Sequence, residues 1–486
     1  MVFSFHRTGS FVAAALFCAA ALFCSVRSST GAAPHFRTAA EARAWGEKQE
    51  RLGNYSDAAL AYEIESGMRK RLGDPQGAEV QRHRALRLAT DIRLAIPVSH
   101  APPVNNLAKW EPEQGCYLGV RDDFEGRYYG RSTGNADDFA RRIGRPVAIA
   151  FDYDSYGRPF PVDWARREAK QGRAIQIAWE PRDLASVRDD EYLNQYAKDA
   201  GRSGAPIFLR FGGEMNGKWT PWGRNPAAYR RAFRLVHAVM ARHAPNVAMV
   251  WAPNAVPISN LDQYYPGDDA VDWIGVSLYV VRFYDDKISE PAWRDGPIGF
   301  IEPFYQKYAA RKPICLVECG VTRRSRVESA DADAFAAARW QDLFDAVRIR
   351  YPRLKMVCFF DRNNLTGAVA GRRLNDYALP DGSQALASVR DAVADPYFLG
   401  QVSEHPTASR AYLPVTTSFP PGYRGSVSAS VATYALRPAL SIQRGAGALR
   451  VTRPYRFAMP AGAGPLVVTV RDEKGKTAKV QTVFAP

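Results

Sequence analysis

Residues 206–214 read Pro-Ile-Phe-Leu-Arg-Phe-Gly-Gly-Glu, a short apolar run that ends in two glycines and a carboxylate. A run of this length, bounded by turn residues, is typical of a buried strand in a parallel sheet. Seven similar runs occur in the chain, and amphipathic segments such as 229–243 and 332–350 separate most of them. The predicted strands cover residues 115–120, 146–152, 174–180, 206–211, 247–252, 271–276, 313–318 and 354–360.

Eight buried strands that alternate with helices predict an α/β fold, the (β/α)8 TIM barrel, over residues 99–403. A doubly wound sheet would alternate in the same way. The chain has no glycine-rich phosphate loop after its first predicted strand, and this favours the barrel.

Two smaller regions flank the predicted barrel. Residues 34–98 carry apolar side chains at helical spacing, and Leu52–Tyr55 resembles the turn between two helices of a tetratricopeptide repeat. We therefore predict a small N-terminal α-helical module that docks on the barrel, with binding of a protein partner as an alternative role. Residues 404–486 contain short alternating runs at 426–434, 439–443, 448–452 and 466–471, which predict a C-terminal immunoglobulin-like β-sandwich accessory domain.

The N-terminus has the pattern of an export signal. His6 and Arg7 precede an apolar run from Phe11 to Cys24, and small residues follow. The run is shorter than the about 20 apolar residues that span a bilayer, which favours a cleaved signal peptide over residues 1–33, with an uncleaved anchor as the alternative. No second run is long enough to span, so we expect no membrane span after cleavage and a secreted or periplasmic protein.

Charge and cysteine usage limit the function classes. The 65 basic and 50 acidic residues give a net charge of +15, which either reflects genome composition or favours an anionic polysaccharide or cell-surface partner. No basic cluster falls in a recognisable nucleic-acid module, so we expect no nucleic acid partner. Four cysteines remain after cleavage, and their apolar surroundings predict buried free thiols, with a disulfide left open: Cys116, Cys315, Cys319 and Cys358. The spacing of Cys315 and Cys319 completes no zinc pattern, and we expect no metal and no cofactor.

Carboxylates follow four of the predicted strands. Catalytic groups of a barrel lie at the C-terminal ends of its strands, where the chain has Glu180, Glu214, Glu318 and Asp361. Hydrolysis of a glycosidic bond needs an acid for the leaving oxygen and a second carboxylate at the anomeric carbon, about 5–5.5 Å apart when configuration is retained. Glu214 directly follows two glycines and Glu318 has a glycine two residues further on. We predict them to be this pair, with simple ion pairs to arginine as the alternative. Glu180 and Asp361 are predicted to contact the substrate.

Aromatic residues reinforce the prediction of a sugar cleft. Five fall at or just beyond predicted strand ends, and we predict that they bind substrate: Trp179, Trp219, Trp222, Trp251 and Tyr279. Sugars stack their apolar C–H faces on aromatic rings and leave their hydroxyls for polar neighbours. Any one of these rings could instead belong to the core.

The stretch Arg210-Phe-Gly-Gly-Glu-Met-Asn-Gly-Lys-Trp-Thr-Pro-Trp222 resembles the acid/base segment of glycoside hydrolase family 26, the β-mannanase family that also includes mixed-linkage glucanases. The resemblance extends over about residues 110–400, through segments 179–181, 250–254, 264–275 and 312–320. It implies a retaining double displacement in which Glu214 is the acid/base and Glu318 the nucleophile. Further positions match family residues that hold the nucleophile or line the cleft: Arg210, Tyr279, Asn216 and Trp219.

Two departures from the family pattern affect the substrate. Family mannanases carry histidine where this chain has Gly213, and many place a tryptophan at the end of the eighth strand, where residues 359–364 have none. We therefore predict an exported retaining endo-β-glycosidase that acts on a polysaccharide, which could be β-mannan, mixed-linkage β-glucan or a bacterial exopolysaccharide. The alternative is a non-catalytic polysaccharide-binding or secretion-associated protein on a hydrolase scaffold. The presence of both carboxylates favours the enzyme.

Overall fold

The structure is a computed structural model that describes residues 35–123, 136–435, 437–473 and 477–484. The predicted signal peptide, residues 1–33, lies outside the described residues. Within those ranges, no helix combines the length and the apolar character needed to cross a membrane.

Three helices open the described chain: α1 (Ala39–Arg51), α2 (Tyr55–Arg71) and α3 (Pro75–Leu88). The Thr38 side chain accepts a hydrogen bond from the Glu41 amide and caps α1, and Asp74 caps α3 in the same way through the Gly77 amide. A strand, β1 (Asp91–Val98), follows directly. The prediction that the helical module reaches residue 98 is therefore wrong for its last eight residues.

The barrel strands occur where the apolar runs predict them. The central sheet is built from β2 (Cys116–Asp123), β3 (Ile149–Ser155), β4 (Ala174–Glu180), β5 (Ile207–Phe211), β6 (Val247–Trp251), β7 (Trp273–Val280), β8 (Ile314–Val321) and, after the two-residue β9 (Arg324–Ser325), β10 (Leu354–Arg362). All eight long strands pair in parallel with their sequence neighbours, and β10 pairs with β2 to close the barrel. The predicted (β/α)8 barrel is thus confirmed.

The connecting helices pack around this sheet: α4 (Ala136–Ile143), α5 (Val162–Lys170), α6 (Glu191–Ser203), α7 (Pro226–His243), α8 (Leu261–Tyr264), α9 (Pro297–Tyr308), α10 (Asp333–Ile349), α11 (Asn364–Gly367) and α12 (Gln384–Val393). Side chains alternate across each strand. Phe208 and Trp273 meet inside the barrel with ring centroids 5.2 Å apart. Leu209, the next residue along β5, belongs instead to the core between strands and helices. The four cysteines are buried free thiols, as predicted.

The C-terminal region is a sandwich of two four-stranded antiparallel sheets. After the short β11 (Asn375–Asp376) and β12 (Phe398–Leu399), its strands are β13 (Ala411–Val415), β14 (Ser426–Ala432), β15 (Ala439–Arg444), β16 (Gly447–Val451), β17 (Arg456–Ala458), β18 (Pro465–Arg471) and β19 (Thr477–Phe484). One sheet has the order β13-β1-β14-β17 and the other β16-β15-β18-β19. The predicted sandwich is confirmed, but its first sheet includes β1, which comes from the N-terminal side of the barrel.

Candidate active site

A tight turn at the end of β5 presents Glu214. Gly212 and Glu214 both have a positive φ, and this left-handed conformation is uncommon for a residue with a side chain. The Glu214 amide donates a hydrogen bond to the Ala252 carbonyl, 2.8 Å away, and this bond holds the turn against the end of the neighbouring strand. Sparsely populated backbone conformations of this kind concentrate at functional sites.

Glu318 lies on β8 and is buried, with 4% of its surface exposed. Its carboxylate forms an ion pair with the Arg210 guanidinium and accepts a hydrogen bond from the Tyr279 hydroxyl at 2.6 Å. Burial works against the charged form, but the Arg210 charge and the hydrogen bonds from Tyr279 and Tyr153 outweigh it and hold the pKa of Glu318 below its usual range. The side chain is therefore an ionised carboxylate at neutral pH.

Glu214 has a different environment. Its Oε2 accepts a hydrogen bond from the Trp219 indole at 2.7 Å, and its Oε1 accepts one from the Asn254 amide at 3.2 Å. Arg210 Nη2 lies 4.0 Å from Oε1, while the other Arg210 terminal nitrogen holds Glu318. One guanidinium thus lies between the two carboxylates and brings them to the same place at the mouth of the barrel.

The two carboxylates share a cleft of about 650 Å³. Trp219 stands at its edge with half of its surface exposed, and Trp222, Tyr279 and Glu180 also line it. Burial raises the pKa of Glu180 to about 7; the Arg210 charge opposes this rise, and the charges of Glu318 and Glu214 support it. The cleft therefore offers carboxylates of different proton affinity beside an exposed indole, a combination suited to binding and protonating a sugar.

Two predicted substrate contacts, Trp179 and Trp251, lie elsewhere, and these predictions are wrong. Both rings are fully buried between the barrel and its helices. Trp179 stacks on Tyr196 with centroids 4.1 Å apart, and Trp251 packs against Tyr265 at 5.0 Å. The residues before them, Ala178 and Val250, are aligned with the inward-facing Arg210 in the neighbouring strand. Because side chains alternate along a strand, Trp179 and Trp251 point outward.

Asn216 and Asp361 also differ from their predicted role as substrate contacts. Asn216 is buried and donates hydrogen bonds to the carbonyls of Asn254, at 2.9 Å, and Pro257, at 2.7 Å. It therefore shapes the loop that carries a hydrogen-bond donor to Glu214. Asp361 is buried, pairs with Arg142 at 2.5 Å and accepts a hydrogen bond from the Leu379 amide. Both side chains stabilise the rim of the barrel rather than line the cleft.

Several residues of the cleft were missed by sequence reasoning. Asn254 and Tyr153 contact the two carboxylates directly. Both occur at the ends of predicted strands, a position that could have identified them. Other lining residues come from loops with no distinctive motif: Phe283, Tyr284, Arg372 and Tyr377. Among the described residues, no group of three or more His, Cys, Asp or Glu side chains is arranged to hold a metal ion.

A closed (β/α)8 barrel with two arginine-linked carboxylates at its C-terminal end has the architecture of a barrel glycosidase. Residues 187–290 match the sequence model of Glycosyl hydrolase family 26. The predicted resemblance to this family is therefore confirmed, and the chain is related to the glycoside hydrolases of family 26.

Individual relatives match parts of the chain. Endoglucanase H of Acetivibrio thermocellus is 27% identical over 308 residues, which are 58% of this chain and 30% of that protein. Beta-1,3-xylanase TXYA of a Vibrio species is 28% identical over 228 residues, 41% of this chain and 47% of that protein. This chain thus spans less than half the length of either relative. A family 26 β-mannanase structure from Bacteroides ovatus aligns with a TM-score of 0.41 at 16% identity, over 59% of this chain and 90% of that one.

Proposed function

We propose that this protein is an exported retaining endo-β-glycosidase that hydrolyses a polysaccharide by double displacement. One observation carries the proposal: the Arg210 guanidinium lies between Glu214 and Glu318, so that both carboxylates lie beside the same part of the cleft. The family match and the names of the two enzymes above support the reaction class.

In the first step, Glu318 attacks the anomeric carbon and a covalent glycosyl-enzyme forms. The nucleophile must be ionised, and Arg210 and Tyr279 keep it so. The bond between the anomeric carbon and the leaving oxygen breaks, and Glu214 gives that oxygen its proton. In the second step Glu214 takes a proton from water, the water oxygen bonds to the anomeric carbon, and Glu318 leaves. The hydrogen bonds from Trp219 and Asn254 hold Glu214 in place for both transfers.

The substrate is proposed to be a β-linked polymer, namely β-mannan, mixed-linkage β-glucan or a bacterial exopolysaccharide. The relatives named as an endoglucanase and a β-1,3-xylanase add β-1,3-xylan to the candidates. Gly213 gives this cleft no side chain at the position where family mannanases carry histidine, and a Cβ added there would lie 2.3 Å from Arg210 Nε. A screen of purified protein against these polymers, with the products sized, would identify the substrate and the cleavage pattern.

Removal of each carboxylate tests the assigned roles. Glu318→Ala should abolish turnover of every substrate. Glu214→Ala should lose roughly 10²–10⁴-fold on substrates with poor leaving groups and much less on those with good ones, because only the former need an acid. Glu404→Ala is the matched control, because Glu404 is an exposed glutamate that does not line the cleft. A Glu318→Ala protein as active as the wild type would contradict the proposed nucleophile.

The stereochemistry of the first product tests the double displacement separately. NMR of a digestion in progress should show the new reducing end in the β configuration before it equilibrates. An initially α product would exclude double displacement while leaving hydrolysis intact. Binding of a polymer with no product from any candidate would instead support the alternative of a non-catalytic polysaccharide-binding protein. Sequencing the N-terminus of protein exported by an expressing cell tests the predicted removal of residues 1–33.

A further inference from the structure

The loop between β7 and α9, residues 281–296, forms one wall of the cleft. Val281, Phe283, Tyr284 and Asp285 line the cleft from this loop. The loop folds back on itself, with the Tyr284 amide donating a hydrogen bond to the Glu290 carbonyl at 2.9 Å. Its conformation therefore determines how wide the cleft is on that side.

The helical module holds this loop from behind. Arg87, on α3, forms an ion pair with Asp295 at the end of the loop, and the Tyr284 hydroxyl donates a hydrogen bond to the same Asp295 oxygen at 2.6 Å. The Asp295 side chain is only 3% exposed. The Arg87 guanidinium also lies 5.8 Å from the ring centroids of both Tyr284 and Phe300, a second cleft-lining aromatic residue. A single buried carboxylate thus joins the helical module to the aromatic wall of the cleft.

The packing around this ion pair leaves little room for movement. Gly299 lies in the first turn of α9, and a Cβ added there would lie 2.9 Å from Arg87 Cγ and 3.2 Å from Arg87 Cα. One turn earlier on α3, His83 packs against Phe300 with ring centroids 5.8 Å apart. Because α3 and α9 are in direct contact, α3 cannot shift without disturbing the wall of the cleft.

A second contact fixes the loop against the sandwich. Arg294 donates a hydrogen bond to the Tyr434 carbonyl at 3.1 Å and lies 5.3 Å from the ring centroid of Tyr55 on α2. The rings of Tyr55 and Tyr434 themselves meet edge to face, 4.5 Å apart. The helical module and the sandwich therefore form one support behind the loop.

We propose that the helical module positions the wall of the polysaccharide cleft, with Arg87 as the positioning residue that holds Tyr284 and the loop 281–296 through Asp295. This inference rests on the proposed function, since it assigns the loop to the binding of the same polymer. Arg87 acts through Asp295 and takes no part in the chemical step. Its loss should therefore weaken substrate binding more than it slows turnover.

Arg87→Met is the direct test. Methionine keeps an unbranched apolar stem against Gly299 but removes the charge, so that Asp295 is left buried without its counter-ion. Arg84→Met is the matched control, because Arg84 is on the same helix but pairs with Glu50 at 2.8 Å and lies 4.2 Å over Tyr62, all within the helical module. Hydrogen exchange of peptides from 281–296 and the steady-state constants on the polymer are the two measurements.

In Arg87→Met we expect exchange of the loop to rise several-fold and KM for the polymer to rise roughly three- to tenfold, with a smaller change in kcat. Arg84→Met should match the wild type in both. Tyr284→Phe, which removes only the hydroxyl that reaches Asp295, should raise KM in the same direction and decides the matter if Arg87→Met folds poorly. Unchanged KM in Arg87→Met and Tyr284→Phe would overturn the proposal, as would unchanged exchange. If the wild type cleaves no polymer, the proposed function fails, and the exchange comparison still tests the support of the loop.

Discussion

The substitution Gly213→Ala tests the electrostatic design of the site. A Cβ at residue 213 would lie 2.3 Å from Arg210 Nε and 2.6 Å from Nη2, whereas ordinary contacts begin near 3.4 Å. The guanidinium would therefore have to retreat by about 1 Å, and its retreat is restricted because it also holds Glu318 and donates a hydrogen bond to Ser277 at 3.1 Å.

The size of the effect follows from Coulomb's law. If the distance between the Arg210 and Glu318 charges grows from an ordinary ~2.9 Å to ~3.9 Å, their attraction at an effective dielectric constant of about 20 falls by ~1.5 kcal/mol. This corresponds to a rise of about one unit in the pKa of Glu318. Glu318 must be ionised to attack. On acidification, Gly213→Ala should therefore begin to lose activity at a higher pH than the wild type does. The acid limb of the kcat/KM profile should therefore move up by about one pH unit.

The assay is the pH dependence of kcat/KM on the polymer identified in the screen, with Gly371→Ala as the matched control. Gly371 has no atom within 4 Å of an added Cβ, so this second glycine substitution should leave the acid limb where it is. If the acid limbs of Gly213→Ala and the wild type coincide, then Arg210 does not set the ionisation of the nucleophile, and the reasoning is refuted.

Other predictions concern the remaining corrections and contacts. Trp219→Ala should raise KM about tenfold, because the ring no longer stacks on the sugar. Trp179→Ala should instead lower stability by ~3–5 kcal/mol and leave KM unchanged. A raised KM in Trp179→Ala would show that this ring does contact the substrate. Glu180→Gln should be more stable than the wild type at pH 8 by up to ~3 kcal/mol, since the raised pKa makes ionisation in the folded state costly and this cost builds up between about pH 4.5 and about pH 7. The difference should disappear below about pH 4.5, and denaturant titrations that give equal differences at about pH 4 and pH 8 would contradict it. Arg350→Met should lower stability by ~1–3 kcal/mol, because the buried guanidinium donates hydrogen bonds to Asp91 and to Ser430 that methionine cannot make. This arginine joins the end of α10 to Asp91 of β1 at 2.8 Å, and an unchanged calorimetric transition would show that the contact does not couple barrel and sandwich.

The barrel could be predicted because each strand is a short apolar run with clear boundaries. The strand bounds differ from the predicted ones by up to about four residues, and two of the shifts at strand starts have a physical origin in proline. Strands predicted to start at Pro206 and Pro313 begin one residue later, at Ile207 and Ile314, because proline has no amide hydrogen to enter the ladder.

The strand β1 could not be placed from local sequence alone. Its apolar residues Ile92, Leu94 and Ile96 are spaced two apart, which is a strand pattern, and Ala95 between them is also buried. However, the segment directly follows three helices, and its pairing partners come only after the whole barrel region in the chain, where Asp91 meets Ala432. Pairing over such a distance depends on the folded barrel, which brings the two ends of the barrel region together.

The site shows how far strand alternation would have sharpened the sequence prediction. The register aligns Arg210 with Ala178 on β4 and with Val250 on β6, so all three face inward. Counting one residue on gives Trp179 and Trp251, which must face outward, and counting two on from Ala178 gives Glu180, which faces the cleft. The same count therefore distinguishes Trp179, whose ring is buried, from its neighbour Glu180, whose carboxylate lines the cleft. What no count could supply is the loop 281–296, whose Asp295 pairs with Arg87 on α3, an element that precedes the entire barrel in the chain.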